Sequence, residues 1–493
     1  MTSVLGIDIG TQSVKAVVYD AEAKECVEAA AAPLDLYQTS AGVAEQLSEW
    51  WVTALQEALE QIDPQVRQRI CAIGVSGQQH GFVPLGESGE VLAPIKLWCD
   101  TSTAFECEAI MTEFGGSDRC IEEIGNPILP GYTASKVRWL KEAHPDLYDR
   151  MTCILLPHDY INYYLTGERC MEAGDASGTG FFDVRSRQWS QKMLQVVDSS
   201  RDLRECLPEV ELENVAIGGL LPRVAKELGL APDIPVSIGG GDNMMAAIAT
   251  GNVEPGIVTM SLGTSGTVYG YSAEVVVDPV GEFAAFCSST GGWLPLVCTM
   301  NCTVATELLR DLFKLDLSGF EASLMAAKPG AGGVITVPYF NGERTPNLPA
   351  ARACMLGMDS DNTRPENILR SAVEGVTFGL RHGLSRLQEE GVQAEKIVLS
   401  GGGANSPTWR QMVADVCNVA VLMYRQEEGA AFGAAIQALE IVSDSGLSEI
   451  LQEHLYEDLE RSCLPGGEAA GFYDDAFQEY QRAAEQVAGY YGN

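Results

Sequence analysis

The sequence predicts an α/β protein in two halves that face each other across a cleft. Three observations carry that reading. Apolar, β-branched runs alternate with segments of helical spacing along the chain, the pattern of sheets covered by helices. The 493 residues exceed what one hydrophobic core holds, so two domains of roughly 200–250 residues are expected. A glycine-threonine hairpin near the start recurs about half a chain length later, as in a duplicated unit.

Residues 4–9 and 14–19 are apolar strands joined by Gly10-Thr11-Gln12-Ser13, which reads as a β-hairpin. Residues 44–62 place Leu47, Trp50, Trp51, Leu55 and Leu59 at spacings of one helix face. Residues 70–75 form a buried strand that runs into the polar turn Ser76-Gly77-Gln78-Gln79-His80-Gly81. Residues 232–241 read as a strand ending in three glycines, with Asp242 and a helix of small residues over 243–250 behind it. The second hairpin spans 257–269 with Gly263-Thr264 at its tip, and matching the tips pairs Asp8 with Ser261 and Lys15 with Val268. The boundary therefore falls near 245–255, dividing 1–246 from 247–493. Beyond it come a long helix over 365–387 and a strand over 396–399 entering Ser400-Gly401-Gly402-Gly403-Ala404-Asn405. A helix from Thr408, a short strand over 419–424 and a small-residue stretch over 429–436 follow.

Composition narrows the function. The net charge of −36 disfavours nucleic acid or an anionic membrane as partner, since both need clustered Lys and Arg. A nucleotide can still bind where magnesium and backbone amides screen its phosphates. With no basic leader and no apolar run of about 18 residues, a soluble cytoplasmic protein is expected. The 14 cysteines are scattered without a CxxC pair, Cys298 and Cys302 coming closest, so reduced thiols are expected and a zinc site is not.

In the first hairpin, Gly10 lets backbone N–H groups approach phosphate oxygens while Thr11 and Ser13 add hydroxyl donors. Asp8 stands at the strand end, where it can hold magnesium, and Lys15 offers a point charge to a terminal phosphate. Alone this is a short polar turn. Paired with Gly263-Thr264 it suggests phosphates gripped from two sides. Gly401-Gly402-Gly403-Ala404-Asn405 lies between a strand and a helix, where open sheets bind nucleotides, and its glycines admit a flat base. It is not GxGxxG, and GxxxxGK[ST] is absent. Asp242 opens a helix after three glycines and fits two roles, a base for a phosphoryl acceptor or a helix N-cap. Its place at a helix start is expected to keep it ionised. Gln78-Gln79-His80 and Trp98-Cys99-Asp100 supply amide, imidazole, carboxylate and aromatic groups suited to a neutral polyhydroxylated ligand.

Together these motifs resemble the FGGY carbohydrate kinases, of the actin–hexokinase–Hsp70 ATPase superfamily, from residue 4 to about residue 440. Further segments carry the likeness: Pro157-His158-Asp159-Tyr160, Gly131 through Lys136 to Leu140, Pro338 through Gly342-Glu343-Arg344-Thr345-Pro346, and Glu374-Gly375. The resemblance implies two actin-like ATPase (ribonuclease H-like) domains, the first binding sugar and the second ATP. It implies Asp242 as proton acceptor with Asn243 beside it, Gln79, His80 and Asp100 on the sugar, and Asp8 with Asp242 toward Mg2+. Gly10, Thr11, Gln12, Ser13, Lys15, Gly263, Thr264, Gly402, Gly403 and Asn405 are the implied ATP contacts. The implied substrate is a ketopentose, D-xylulose foremost, with ribulose or glycerol as alternatives. The implied partners are the sugar and MgATP, with a homodimer allowed. A chaperone-type or filament-forming ATPase would share the core but not the Asp242 and Gln79-His80 features.

Overall fold

The computed structural model describes residues 3–426 and 428–491. The first half is built on a seven-stranded sheet. Its strands are β1 (Ser3–Ile9), β2 (Ser13–Asp20), β3 (Glu25–Pro33), β4 (Ile70–Gly77), β5 (Ala216–Gly219), β6 (Pro235–Ser237) and β7 (Gly240–Gly241). They run β5-β6-β4-β1-β2-β3, with β7 added beside β4. The second half has five strands, β8 (Gly256–Leu262), β9 (Gly266–Gly270), β10 (Leu296–Thr299), β11 (Ala394–Ser400) and β12 (Ala420–Leu422). These run β10-β9-β8-β11-β12.

The two sheets repeat one plan. In each, the first hairpin strand pairs antiparallel with the second and parallel with a later strand, β1 with β4 and β8 with β11. The repeat is not one-to-one. Ile9 pairs with Val14 across a four-residue tip, whereas Leu262 pairs with Gly266 across three residues. Asp8 faces Lys15, and its counterpart Ser261 faces Thr267. Thr267 therefore replaces Val268 as the match to Lys15, because the shorter tip shifts the register by one.

Alternation along β1 explains its central place. Leu5, Ile7 and Ile9 pack toward Trp51, Leu55 and Leu59 of helix α1 (Ser48–Glu60). The other face turns toward a helix from the far end of the chain, labelled here with its neighbours in order: α2 (Asp242–Ala249), α3 (Pro365–Glu389), α4 (Pro407–Cys417), α5 (Gly429–Glu440) and α6 (Gly467–Tyr491). A Cβ at Gly6 would overlap the Ala431 carbonyl, and one at Gly74 the Ala434 carbonyl. On its other side a Cβ at Gly433 would overlap the Met245 carbonyl of α2. The small-residue stretch of α5 is thus a wedge seated at backbone distance between the first sheet and α2. Gln437 locks it, its amide bonding the Gly239 N–H, the Gly239 carbonyl and Ser237 Oγ.

Several elements differ from expectation at their ends. The helix over 44–62 starts only at Ser48, because 44–46 pair as a strand with Ile95–Lys96. The strand over 419–424 is confined to β12. Past 440 the chain forms a helix over Leu447–His454 and then α6, whose Tyr473 hydroxyl bonds Arg370 and Glu374 inside α3. All 14 cysteines are free thiols. Among the described residues no helix is long and apolar enough to cross a membrane.

Candidate active site

The ends of three neighbouring strands build the centre. Asp8 on β1 stands in register with Ser76 on β4, and Gly240 of β7 pairs with the same Ser76. The carboxyl ends of β1, β4 and β7 therefore deliver Asp8, the Gln78-Gln79-His80 turn and Asp242 to one place, as open sheets do at a strand-order reversal. Ser76 Oγ donates to Asp8 Oδ1 at 2.7 Å, a partner the sequence offered no reason to single out. Asp242 opens α2 with Gly241 in the cap position, so it is not the N-cap. The Asn243 backbone N–H and side-chain amide both donate to its Oδ1, at 2.8 and 3.1 Å.

The electrostatics correct the expectation of an ordinary ionised carboxylate. Burial first, then the Asp8 charge, push Asp242 up to about 7. Desolvation at this position outweighs the favourable helix start. Burial also raises Asp8, against the opposing pulls of Ser76 and Lys15. Two acids that resist ionisation side by side form a site short of positive charge.

Beside Asp242 lies a polar edge with open valences. The Asn243 amide donates to Gln79 Oε1 at 3.0 Å, while buried Gln79 Nε2 and His80 Nδ1 have no protein partner. The His80 ring sits 5.0 Å from Tyr132 and 5.5 Å from Phe286, and burial holds its pKa well below the usual range, so it is neutral. His80 adopts φ of 64°, unusual for a residue with a side chain. Lys136 fixes that backbone by donating to the carbonyls of His80 and Gly131 at 2.8 and 2.7 Å. Burial pulls Lys136 down to about 7.

Asp100 does not join this edge. It is fully buried, with one oxygen accepting from the Ala44 N–H and Lys96 Nζ and the other from Ser102 N–H and Oγ. Its four acceptor sites are spent shaping its own loop. The hydroxyl of Thr11 is spent too: it donates to Gln78 Oε1 and accepts from Trp98 Nε1, both at 3.0 Å. The hairpin tip therefore presents backbone N–H groups and not the Thr11 hydroxyl. Lys15 shares the Asp8 side of the hairpin, as directly opposed residues do, and pairs with Glu428.

A cavity of about 400 Å³ is lined by Asp8, Asp242 and Asn243 from the first half and by Gly402, Asn405 and Arg461 from the second. Gly402 has open space where a Cβ would sit, whereas Gly403 packs against Leu262 and Trp409 and faces away from the cavity. The hairpin tips, Gln79 and His80 stand outside this lining. Tyr424, Gln426 and Arg461 line it without any motif in the sequence that pointed to them.

The profile of the FGGY family of carbohydrate kinases, N-terminal domain, matches residues 3–249, and that of its C-terminal domain matches 258–440. The chain is 41% identical over 490 residues to a xylulose kinase of Haemophilus influenzae, covering 98% of this chain and 99% of that protein. A crystal structure described as a xyloylose kinase from Brucella ovis superposes with a TM-score of 0.91 at 29% identity, over 99% of both chains. A gluconate kinase structure from Lactobacillus acidophilus superposes with a TM-score of 0.90 at 23% identity, over 100% of this chain and 99% of that one, a likeness of fold alone.

Proposed function

The chain belongs to the FGGY family of carbohydrate kinases, and from that premise we infer that it phosphorylates D-xylulose with ATP, giving D-xylulose 5-phosphate and ADP. The observation that carries the reading is Asp242 at the head of α2, between a second carboxylate and the unpaired polar edge of Gln79 and His80. A neutral polyol fits that edge because its hydroxyls can both donate and accept. Neutral His80 and an unpaired amide satisfy them without a charge. Two relatives matched over at least 93% of their own length, at 41 and 35% identity, are named xylulose kinases, which favours xylulose over ribulose or glycerol.

The chemistry needs little covalent work from the protein. The terminal hydroxyl of the sugar gives its proton to Asp242 as its oxygen bonds the γ-phosphorus. The bond from that phosphorus to the β-phosphate oxygen breaks, and ADP leaves. A base with a pKa near 7 is matched to neutral pH and releases the proton readily afterwards. We assign the sugar to the first half, 1–246, and the nucleotide to the second, 247–493. Its base lies toward Gly402 and Asn405 and its phosphates near Gly10–Ser13, Gly263 and Thr264. Asp8 and Asp242, both held above the usual carboxylate range, fit Mg2+ as the missing positive charge, and bound there with the nucleotide it would neutralise phosphate charge.

A coupled ADP-release assay over D-xylulose, D-ribulose, L-ribulose, L-xylulose, glycerol and gluconate tests the reading. The highest kcat/KM is expected with D-xylulose. Turnover confined to glycerol or gluconate would overturn the substrate while leaving the kinase.

A further inference from the structure

The family profiles stop at residue 440, yet the chain beyond that point reaches the cavity. Residues 454–463 fold back along β12 and the strand-like stretch after it. Cys463 exchanges backbone hydrogen bonds with Val421, both at 2.9 Å. The Asp458 N–H donates to the Met423 carbonyl at 2.8 Å, and the Arg425 N–H to the Tyr456 carbonyl at 2.9 Å. The side chains continue the clasp, with Ser462 Oγ accepting from the Met423 N–H and the His454 carbonyl from Gln426 Nε2. Met423, Tyr424 and Gln426 all line the cavity, so the tail fixes one of its walls.

The tail also contributes a side chain of its own. Arg461 lines the cavity, and its Nη2 donates to Asn405 Oδ1 at 3.3 Å. Arg410 ties the two walls together by donating to the carbonyls of Ala404 and Arg461, at 2.8 and 3.1 Å. Asn405 and the open Gly402 follow β11 of the second sheet, whereas Asp8 and Asp242 come to the cavity from strand ends of the first. We propose that residues 454–463 complete the nucleotide site, and that Arg461 binds the nucleoside portion, base and ribose, of ATP. The inference rests on reading the cavity as the ATP site. A planar guanidinium beside Asn405 can stack on a purine or donate to its ring nitrogens and ribose oxygens, which a lysine cannot reproduce. The phosphates belong with the carboxylates of the first half.

Because the contact is to the nucleoside, it acts alike on ATP and ADP. Isothermal titration of full-length Arg461→Ala with MgADP and with MgATP, without sugar, should show both weakened about 3- to 10-fold, the size of one stacked or bonded group. The KM for sugar should stay within about twofold of wild type. Arg461→Lys should stay weakened for both nucleotides. Unchanged ADP affinity in Arg461→Ala, weakening of ATP alone, or full affinity in Arg461→Lys would overturn the proposal. Failure of the sugar assay with ADP binding still dependent on Arg461 would strike the substrate reading and leave this one standing.

Discussion

Replacing Asp242 by Asn separates what the residue does for catalysis from what it costs the fold. The amide keeps the oxygen that accepts from Asn243 but cannot take a proton. The turnover with sugar should fall at least about 100-fold, the usual worth of a general base. Stability should move the other way. Asp242 rises from 3.8 to about 7 on folding, about three units, or about 4 kcal/mol at most. The carboxylate is half-buried, and solvent screening reduces this to about 1–2 kcal/mol. The sign follows from the raised value: the protonated group contributes stability at low pH, which is lost as pH rises through about 7. Asp242→Asn escapes that loss. Without nucleotide its melting temperature should match wild type near pH 4 and exceed it by roughly 2–8 °C at pH 8, at about 2–4 °C per kcal/mol for a half of this size. Differential scanning calorimetry across pH measures this. A variant no more stable than wild type at pH 8, or a difference that ignores pH, would refute the assignment of a raised pKa to Asp242.

Asp100→Asn should lower the unfolding free energy by about 2 kcal/mol, since Lys96 keeps Glu45, while KM for sugar stays within twofold. A large rise in KM in a folded variant would return Asp100 to the sugar site. Gly74→Ala should destabilise by about 1–3 kcal/mol in denaturant titration, because its Cβ meets the rigid Ala434 carbonyl. A neutral outcome would mean that α5 is not seated as described. kcat/KM for MgATP, which reports the enzyme before nucleotide and cation arrive, should rise with pH through an inflection near 7 as Asp242 ionises, and then fall as Lys136, also held at about 7, loses the proton it donates to the His80 carbonyl. His80, held well below its usual range, should add none, so a further inflection near 6.5 would show it titrating.

What the sequence made legible follows the range over which each signal acts. The hairpins and the strand that leads into the Ser76-Gly77 turn are local and apolar, with glycines at their turns, so their existence and order were readable. Asp242 was readable as a candidate because three glycines and a helix start surround it. Its pKa was not, since burial and the approach of Asp8 come from strands far apart in sequence. Asp100 looked like a ligand because nothing local shows that Ala44, Lys96 and Ser102 consume its oxygens. The match of Lys15 to Val268 failed for a smaller reason, a tip one residue shorter that only pairing reveals. Arg461 lay in a segment without a motif, and its meaning depends on a backbone clasp formed with residues some forty positions away.

The spent hydroxyl of Thr11 gives the site its internal logic. Trp98 donates to it, it donates to Gln78, and the Gln78 amide continues to the Gly10 carbonyl and to Gln46. Gln46 in turn donates to the Thr11 carbonyl and accepts from Trp51 in the core of the first half. The tip proposed to hold phosphate is therefore tied at its Gly10 and Thr11 carbonyls to a buried amide pair, and Gln78 is the residue next to Gln79 on the proposed sugar edge. A tip anchored in this way loses little freedom when a nucleotide arrives, so less of the binding energy goes into ordering it. The same chain of bonds makes the distance from sugar edge to phosphate tip a property of the first half alone. What remains to vary is the approach of the second half, which the small-residue wedge of α5 seats directly against the back of β1, one turn of side-chain alternation from Asp8. In-line transfer needs that approach to be reproducible to a fraction of an ångström, and glycine at positions 6 and 74 is what lets two backbones, and not flexible side chains, set it.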